Sequence, residues 1–372
     1  GSIFQRVKDN RGIIMSLDEE GAIDFEDQST LSVRYDEELF NQASLVLFWG
    51  QDQLSKIAKK KYSQSKVIVT GHPRFEYLKT EYQYLYEEDR KEIENKYGRF
   101  ILFNTNMGFG NNYRGKEFIL KNYGGRFKNI RSIINNDEIK LKAYLELAKK
   151  LADLQKQKII IRPHPEEDIK FYKDAFKNYR NISVIYEKSV IPWILASDVL
   201  IHPDCTTGVE ALMLGKKPIS FLPKGLDERL LTVLPLKASC VFNSKKELIQ
   251  YINSKKFKDD NIHYPEYEWL QSSFNFSVAI TDIILSEILK ISAIGNNHNH
   301  QKSLTAWARY KIYLRHNYHK VRSPYDELLR SKMDGFISNN VDFIVDTINK
   351  NNPKFNTIIV KKINSHLYQF SQ

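Results

Sequence analysis

From residue 98 to Pro223, short apolar, β-rich runs alternate with helical patterns, and the joins between them are brief. Strands are expected at 100–103, 158–162, 182–186, 198–202 and 217–221. Helices are expected over 136–156 and 166–178, after Pro192, and from Thr206 to near Gly215, while the polar, Gly- and Asn-rich segment 104–116 reads as a loop. Strand and helix in strict alternation are the pattern of a doubly wound parallel sheet. Two of these strands run into polar clusters. One ends in Arg162-Pro163-His164-Pro165, and another leads into Asp204-Cys205-Thr206-Thr207-Gly208-Val209-Glu210-Ala211-Leu212. In an open parallel sheet ligands bind at the carboxyl ends of strands, where helix N-termini hold anions. Two such ends in one sheet predict a pocket for a nucleotide phosphate.

Upstream, strands are expected at 12–17, 44–49 and 66–70, with a charged helix over 85–96. Three strands make a thin Rossmann-like sheet. With Gly1-Ser2 in place of an initiator Met, this predicts that part of the first domain lies before residue 1. The expected class is α/β: a first domain over 1–98, a second over 99–292 closed by helices at 245–251 and 268–291, and a helical appendage over 293–372. A chain that is 42% hydrophobic and 12% aromatic can bury proper cores. With only Cys205 and Cys240, a disulfide framework is not expected, which points to a reducing cytoplasm. No run approaches a spanning helix, and no signal-peptide pattern opens the chain.

Of the net charge of +11, the last 72 residues hold twelve Lys/Arg against five Asp/Glu, hence +7. Residues 301–322 carry six basic and no acidic side chains, interleaved with Trp307, Tyr310, Tyr313 and Tyr318. Such a stretch suits an anionic membrane surface or nucleic acid, and equally a solvated helical face with its aromatics packed inward.

His164, held between two prolines beside the permanent charge of Arg162, can bind a diphosphate or a leaving phosphate through charge-assisted hydrogen bonds. Thr206 and Thr207 bring two hydroxyls and free N–H groups to a helix start, Gly208 would let a ligand approach, and Glu210 one turn in can accept from ribose hydroxyls. The structural alternative is an N-cap with a packed glycine and an exposed glutamate. In Asp18-Glu19-Glu20-Gly21, grouped carboxylates raise one another's pKa and can yield a general base, although a solvated acidic turn has the same composition. Asn104 and Asn106 end a strand facing the expected cleft, and Arg74 follows Gly71-His72-Pro73. All three are candidates for substrate contact as well as for simple turns. Cys205 reads as a small buried residue.

Glu19-Glu20-Gly21, His164-Pro165 and Thr206-Thr207 together resemble the acidic-acidic-Gly, His-Pro and Ser-Ser motifs of bacterial sialyltransferases of the GT-B type. Leu17-Asp18-Glu19-Glu20-Gly21, Val69-Thr70-Gly71-His72-Pro73-Arg74-Phe75 and Ile101-Leu102-Phe103-Asn104-Thr105-Asn106 are similar to runs in a family of bacterial surface-carbohydrate biosynthesis proteins. This likeness covers roughly residues 12–290. The fold also looks like that of Kdo transferases and CDP-glycerol transferases. The resemblance implies two facing Rossmann-like domains with the substrate cleft between them, no metal, and no cofactor beyond a nucleotide-sugar donor. It implies that His164 stabilises or protonates the leaving phosphate, that Thr206 and Thr207 bind the same phosphate, and that Glu19, or equally Glu20, is the catalytic base. Val190 and Ile191 fall where GT-B enzymes read the base. The implied reaction is transfer of a CMP-activated sialic-acid-like or Kdo-type sugar to a glycan or lipid-linked glycan. The implied place is the cytoplasm or the inner-membrane surface, with no nucleic-acid partner. CDP-glycerol or CDP-ribitol phosphotransfer, UDP-sugar 2-epimerisation and a non-catalytic assembly role are the alternatives. Thr-Thr in place of Ser-Ser is one departure from the motifs, and a first domain that begins well upstream in the family is the other.

Overall fold

The computed structural model describes residues 14–20, 24–26, 30–57, 66–154, 157–255 and 268–274, the strands at 359–364 and 367–371, and scattered single residues elsewhere. The chain forms two compact units, Gly1–Ile291 and Ser292–Gln372.

The first unit holds two parallel sheets. The smaller has the order β1 (Met15–Leu17), β2 (Leu45–Phe48), β3 (Lys66–Val69). The larger comprises β4 (Phe100–Asn104), β5 (Lys158–Arg162), β6 (Ile182–Val184), β7 (Val199–His202), β8 (Ile219–Phe221) and β9 (Cys240–Phe242), in the order β6-β5-β4-β7-β8-β9. All its neighbouring pairs are parallel. The chain therefore builds outward from β4 on one side, then returns to build outward from β7 on the other. This is the doubly wound order, whose switch point lies between β4 and β7. The expected strands from 44–49 onward are present within a residue or two, and the one expected at 12–17 is described at Met15–Leu17. The short edge strand β9 was not expected: its three residues sit between two helical patterns, and only tertiary pairing with β8 makes them a strand.

Both faces of the larger sheet are covered, so its strands are continuous apolar runs. On one face Phe100, Leu102, Ile160 and Leu200 pack with Trp193, Val209 and Leu212, and on the other Ile101, Phe103, Ile159, Ile161 and Ile201 pack with Leu147, Leu151 and Tyr172. The period of two along each strand divides the two cores.

Several helices depart from expectation. Lys116–Tyr123 is a helix that no sequence pattern announced, beginning at the end of the segment 104–116 read as loop, and the long helix runs Ile130–Leu154, six residues earlier than its apolar pattern suggested. The extra turns bury Ile130, Ile133 and Ile134 against Ile119, Phe109 and Phe127. The helix near Pro192 begins before it, at Val190. Proline is tolerated in a first helical turn because its missing N–H has no intrahelical acceptor there. The helix Glu268–Phe274 packs on the smaller sheet's side: Ser272 and Ser273 hydroxyls donate to Asp52 at 3.0 and 2.9 Å, and Phe274 lies beside Trp49 and Phe75. A Cβ on Gly50 would stand 2.2 Å from the Ser272 carbonyl oxygen, so only glycine admits this return of the chain.

Within Ser292–Gln372 the expected helical appendage is corrected in part, because two strands are present there. β10 (Ile359–Asn364) and β11 (Leu367–Ser371) form an antiparallel hairpin with an irregularity between Lys362 and Asn364. Basic segment 301–322 lies outside the described residues except for Tyr310 and Leu314. Among the described residues no helix is long and apolar enough to cross a membrane.

Candidate functional site

A cavity of about 450 Å³ opens at the carboxyl ends of β4, β5 and β7, beside the switch point. The larger sheet contributes Asn104, Asn106, Arg162, His164, Thr206, Thr207 and Glu210 to its wall, and the smaller sheet's loops contribute Glu20, Phe25 and Arg74. The polar strand ends separated in sequence by some forty residues thus share one chamber.

His164 follows β5 in a turn clamped by Glu167. This carboxylate is buried, and its Oε1 accepts from the His164 backbone N–H at 3.2 Å, the Met107 N–H at 3.0 Å and the Thr105 hydroxyl at 2.8 Å. The Tyr172 hydroxyl donates to Oε2. Burial pushes the Glu167 pKa up, and these hydrogen bonds oppose the shift. Sequence reasoning placed Glu167 in a helix. The helix starts only at Ile169, with Asp168 as its N-cap, which leaves Glu167 free to tie the turn after β5 to the loop after β4. On the His164 ring, Nδ1 accepts from the Glu166 N–H at 3.3 Å, which assigns the proton of the neutral ring to Nε2.

Arg162 is buried. Its guanidinium donates to the Lys188 carbonyl at 2.8 Å and lies over the Tyr186 ring, 5.0 Å from the centroid. Burial lowers its pKa, and neighbouring Tyr186 and Glu210 pull it back. Glu210, 2% exposed, is not the solvent-facing glutamate of a plain capped helix. Its Oε1 meets Arg74 Nε at 3.0 Å, an ion pair that joins the two sheets' loops across the cleft. Burial raises the Glu210 pKa, while Arg74 and Arg162 pull it down. Arg74, for which a surface turn is the safer reading by sequence, thus forms part of the cavity wall.

Thr207 Oγ1 accepts from Asn104 Nδ2 at 3.2 Å, so the ends of β4 and β7 are cross-linked. Thr206 sits at the N-cap position without a side-chain cap bond. Its hydroxyl does not close the helix end, and both threonines line the cavity. Asn106 also lines the cavity, at partial exposure.

Three expectations are corrected. Gly208 is not in the cavity wall: a Cβ there would lie 2.4 Å from His202 Cε1 and Nε2, so glycine serves packing against a buried histidine. Ile191 belongs to the apolar core, and only Val190 of that pair reaches the cavity. Of the acidic pair, Glu20 lines the cavity, whereas the Glu19 carboxylate points elsewhere, 3.6 Å from His72 Nε2 with 81% of its side chain exposed. The Glu20 pKa is raised mainly by lost hydration in the cleft mouth, opposed by Arg74 and Arg34; the neighbouring carboxylates Asp18 and Glu19 are lesser contributors than the sequence suggested. Asp18 is structural: it pairs with Arg34 at 2.7 Å, and its carbonyl accepts from Trp49 Nε1 at 2.6 Å. Gly21 lies outside the described residues. The Cys205 thiol, buried, is pushed up to about 11, which keeps it protonated.

Two further groups went unread in the sequence. His202, buried at the end of β7, bonds Ser239 Oγ at 2.8 Å and is pushed down to about 4 by burial. Asp137 and Lys140, from the long helix, line the cavity with Asp204. Helical periodicity marks them only as polar positions on an amphipathic helix.

Among the described residues, the buried side-chain polar atoms without a hydrogen-bond partner are His72 Nε2, Asn104 Oδ1, Arg162 Nε and Glu210 Oε2. The last three belong to residues of this one cavity wall, and His72 is two residues from Arg74. Unpaired buried groups cost free energy and are rare in folded proteins, so their concentration marks a site prepared for a polar ligand. Among the described residues no group of three His, Cys, Asp or Glu side chains is placed to hold a metal ion.

No protein-family model and no curated protein matches the sequence. Among solved structures, the chain is similar to the UDP-GlcNAc 2-epimerase of Methanocaldococcus jannaschii, at 11% identity and a TM-score of 0.48 over 77% of this chain and 73% of that one. It is similar to the wall teichoic acid polymerase TagF at 14% identity and a TM-score of 0.42, over 73% and 63% respectively. It is also similar to the UDP-GlcNAc-bound 2-epimerase of Neisseria meningitidis at 20% identity and a TM-score of 0.38, over 68% and 62%. The chain spans less than two thirds of the latter two proteins. These likenesses concern the path of the chain and leave the chemistry to the residues of the cleft.

Proposed function

We propose that this chain is a metal-independent glycosyltransferase that takes a nucleotide-activated sugar as donor, with no further cofactor. The observation that carries the reading is the cluster of unpartnered buried polar atoms on Asn104, Arg162 and Glu210, in one cavity at the switch point of a doubly wound sheet. The cavity volume suits a small polar ligand. In the proposed reaction the acceptor hydroxyl attacks the anomeric carbon, the bond from that carbon to the phosphate oxygen breaks, and Glu20 takes the acceptor's proton. A carboxylate with a raised pKa, standing across the cleft from His164, is suited to that role. Charge developing on the departing phosphate meets the His164 Nε2 proton, the Arg162 guanidinium and the Thr206 and Thr207 hydroxyls. Glu210 Oε2 supplies an acceptor for a ribose hydroxyl, and Val190 lies against the base.

The donor we propose is CMP linked to a keto-acid sugar of the sialic-acid or Kdo type. It is supported by the resemblance of Glu19-Glu20-Gly21, His164-Pro165 and Thr206-Thr207 to the motifs of bacterial sialyltransferases. The proposed acceptor is a surface glycan or its lipid-linked precursor, with segment 301–322 holding the protein at the cytoplasmic face of an anionic membrane. Calorimetry against CMP, CDP and UDP, followed by product analysis with CMP- and CDP-linked donors, tests the reading. CMP binding that is lost in Arg162→Ala and His164→Ala is the expected result. A chain that binds only UDP and turns over a UDP-sugar without acceptor is an epimerase, and the proposal fails.

A further inference from the structure

We propose that Lys140 and Asp137 form a subsite for hydroxyl groups of the transferred sugar, on the part of the cavity wall that the helix Ile130–Leu154 contributes. The inference rests on the nucleotide-sugar reading above. The two residues stand three apart on the helix Ile130–Leu154, so they share one face of it, and both line the cavity although each is more than nine-tenths buried.

Their hydrogen-bonding capacity is only partly used. Lys140 Nζ donates to Asp204 Oδ1 at 2.7 Å, whereas Asp137 Oδ1 is 3.9 Å away, beyond hydrogen-bond reach. An ammonium has three protons to give, so donor capacity is left over. Asp204 is engaged at both carboxylate oxygens, since Oδ2 accepts from the Thr232 N–H at 3.1 Å, and its backbone carbonyl accepts from the Thr232 hydroxyl. Asp137 Oδ2 accepts from the Phe109 N–H at 3.0 Å. What remains at the cavity surface is an N–H donor of Lys140 beside Oδ1 of Asp137. A donor next to an acceptor is the complement of a hydroxyl, which does both.

Charge narrows the ligand further. Two carboxylates and one ammonium sum to −1, and burial raises the Asp137 pKa to about 7, with Lys140 opposing and Asp204 and Glu167 adding to the shift. The cluster is thus neutral or singly negative near neutral pH and offers no excess cation for a second phosphate or a carboxylate. The carboxylate of a keto-acid sugar is consequently directed away from this part of the wall. Asn104 Oδ1, buried and unpartnered, lines the same cavity and leaves a further acceptor for the ligand. The subsite is also preformed: Asn136, next to Asp137, exchanges two hydrogen bonds with the Asp227 backbone at 3.0 and 2.9 Å, which holds the helix to the loop that carries Thr232.

The test compares calorimetric titrations of CMP and of CMP–sialic acid into wild type and Asp137→Asn. Asparagine keeps the volume and an acceptor for the Phe109 N–H. The expected result is unchanged CMP affinity and a loss of about tenfold for the CMP-sugar, the size of one ligand hydrogen bond. Equal losses for both ligands, or none for either, would overturn the subsite. A measurement on wild type alone guards against a misfolded variant: a CMP-sugar and its deoxy analogues should differ in affinity for at least one hydroxyl. Equal affinity for all of them also sinks the proposal. If wild type binds CMP but gains nothing from the sugar, the subsite fails while the nucleotide reading stands; if it binds neither, the nucleotide reading itself fails.

Discussion

Substituting Gly208 by alanine separates the two roles a glycine can have beside a ligand cavity. The new methyl group would stand 2.4 Å from His202 Cε1 and Nε2 and 3.1 Å from Ser239 Oγ. His202 cannot yield easily: it is fully buried, and its ring bonds Ser239 Oγ at 2.8 Å and accepts from the Cys205 N–H at 3.3 Å. Overpacking a filled core costs about 1–3 kcal/mol. Losing the His202–Ser239 bond adds about 1 kcal/mol. Against this, alanine in place of glycine inside a helix recovers about 1 kcal/mol. The net loss is about 1–3 kcal/mol, which lowers Tm by roughly 2–4 °C per kcal/mol in a domain approaching this size. Urea unfolding followed by circular dichroism, with and without CMP, measures it. An unchanged midpoint together with weakened CMP binding would refute the packing account and return Gly208 to the ligand wall.

Glu167→Ala should strip partners from Thr105, Met107, His164 and Tyr172 together and cost about 3–5 kcal/mol, whereas Glu167→Gln, which keeps an acceptor oxygen, should recover part of it in the same unfolding assay. The depressed pKa of buried His202 makes stability pH-dependent: the unfolded ring takes up a proton below its ordinary value of 6.5 while the folded one resists to about 4. Its contribution, about 3 kcal/mol from the gap between 6.5 and about 4 at 1.36 kcal/mol per pKa unit, is present above pH 6.5 and lost as pH falls toward 4. His202→Gln should flatten the stability profile in that window, and an unaltered profile would contradict the assignment. Arg74→Ala should leave the buried Glu210 carboxylate poorly compensated and raise its pKa further. The destabilisation should therefore be small at pH 4, where Glu210 is protonated, and grow with pH toward about 2 kcal/mol at pH 8.

The alternation of apolar runs and helical patterns was sufficient to foresee the parallel sheets, because a strand buried on both faces leaves an apolar run wherever it lies in the chain. The cavity residues His164, Thr206 and Thr207 were legible for a related reason: ligands meet such sheets at strand ends, and polar clusters there are local in sequence. What the cavity does with its other wall was not legible. Glu167 ties two loops whose sequence separation is about sixty residues, and Asp137 and Lys140 look like ordinary polar positions until the helix is set against β7. Glu20 was separable from Glu19 only when one was seen to enter the cavity and the other to face His72. Gly208 shows the limit most plainly. The sequence by itself called for a small residue after Thr207, and a ligand seemed the reason. Only tertiary structure could put the His202 ring against its Cα, because that contact depends on how the helix after β7 folds back over the strand it leaves.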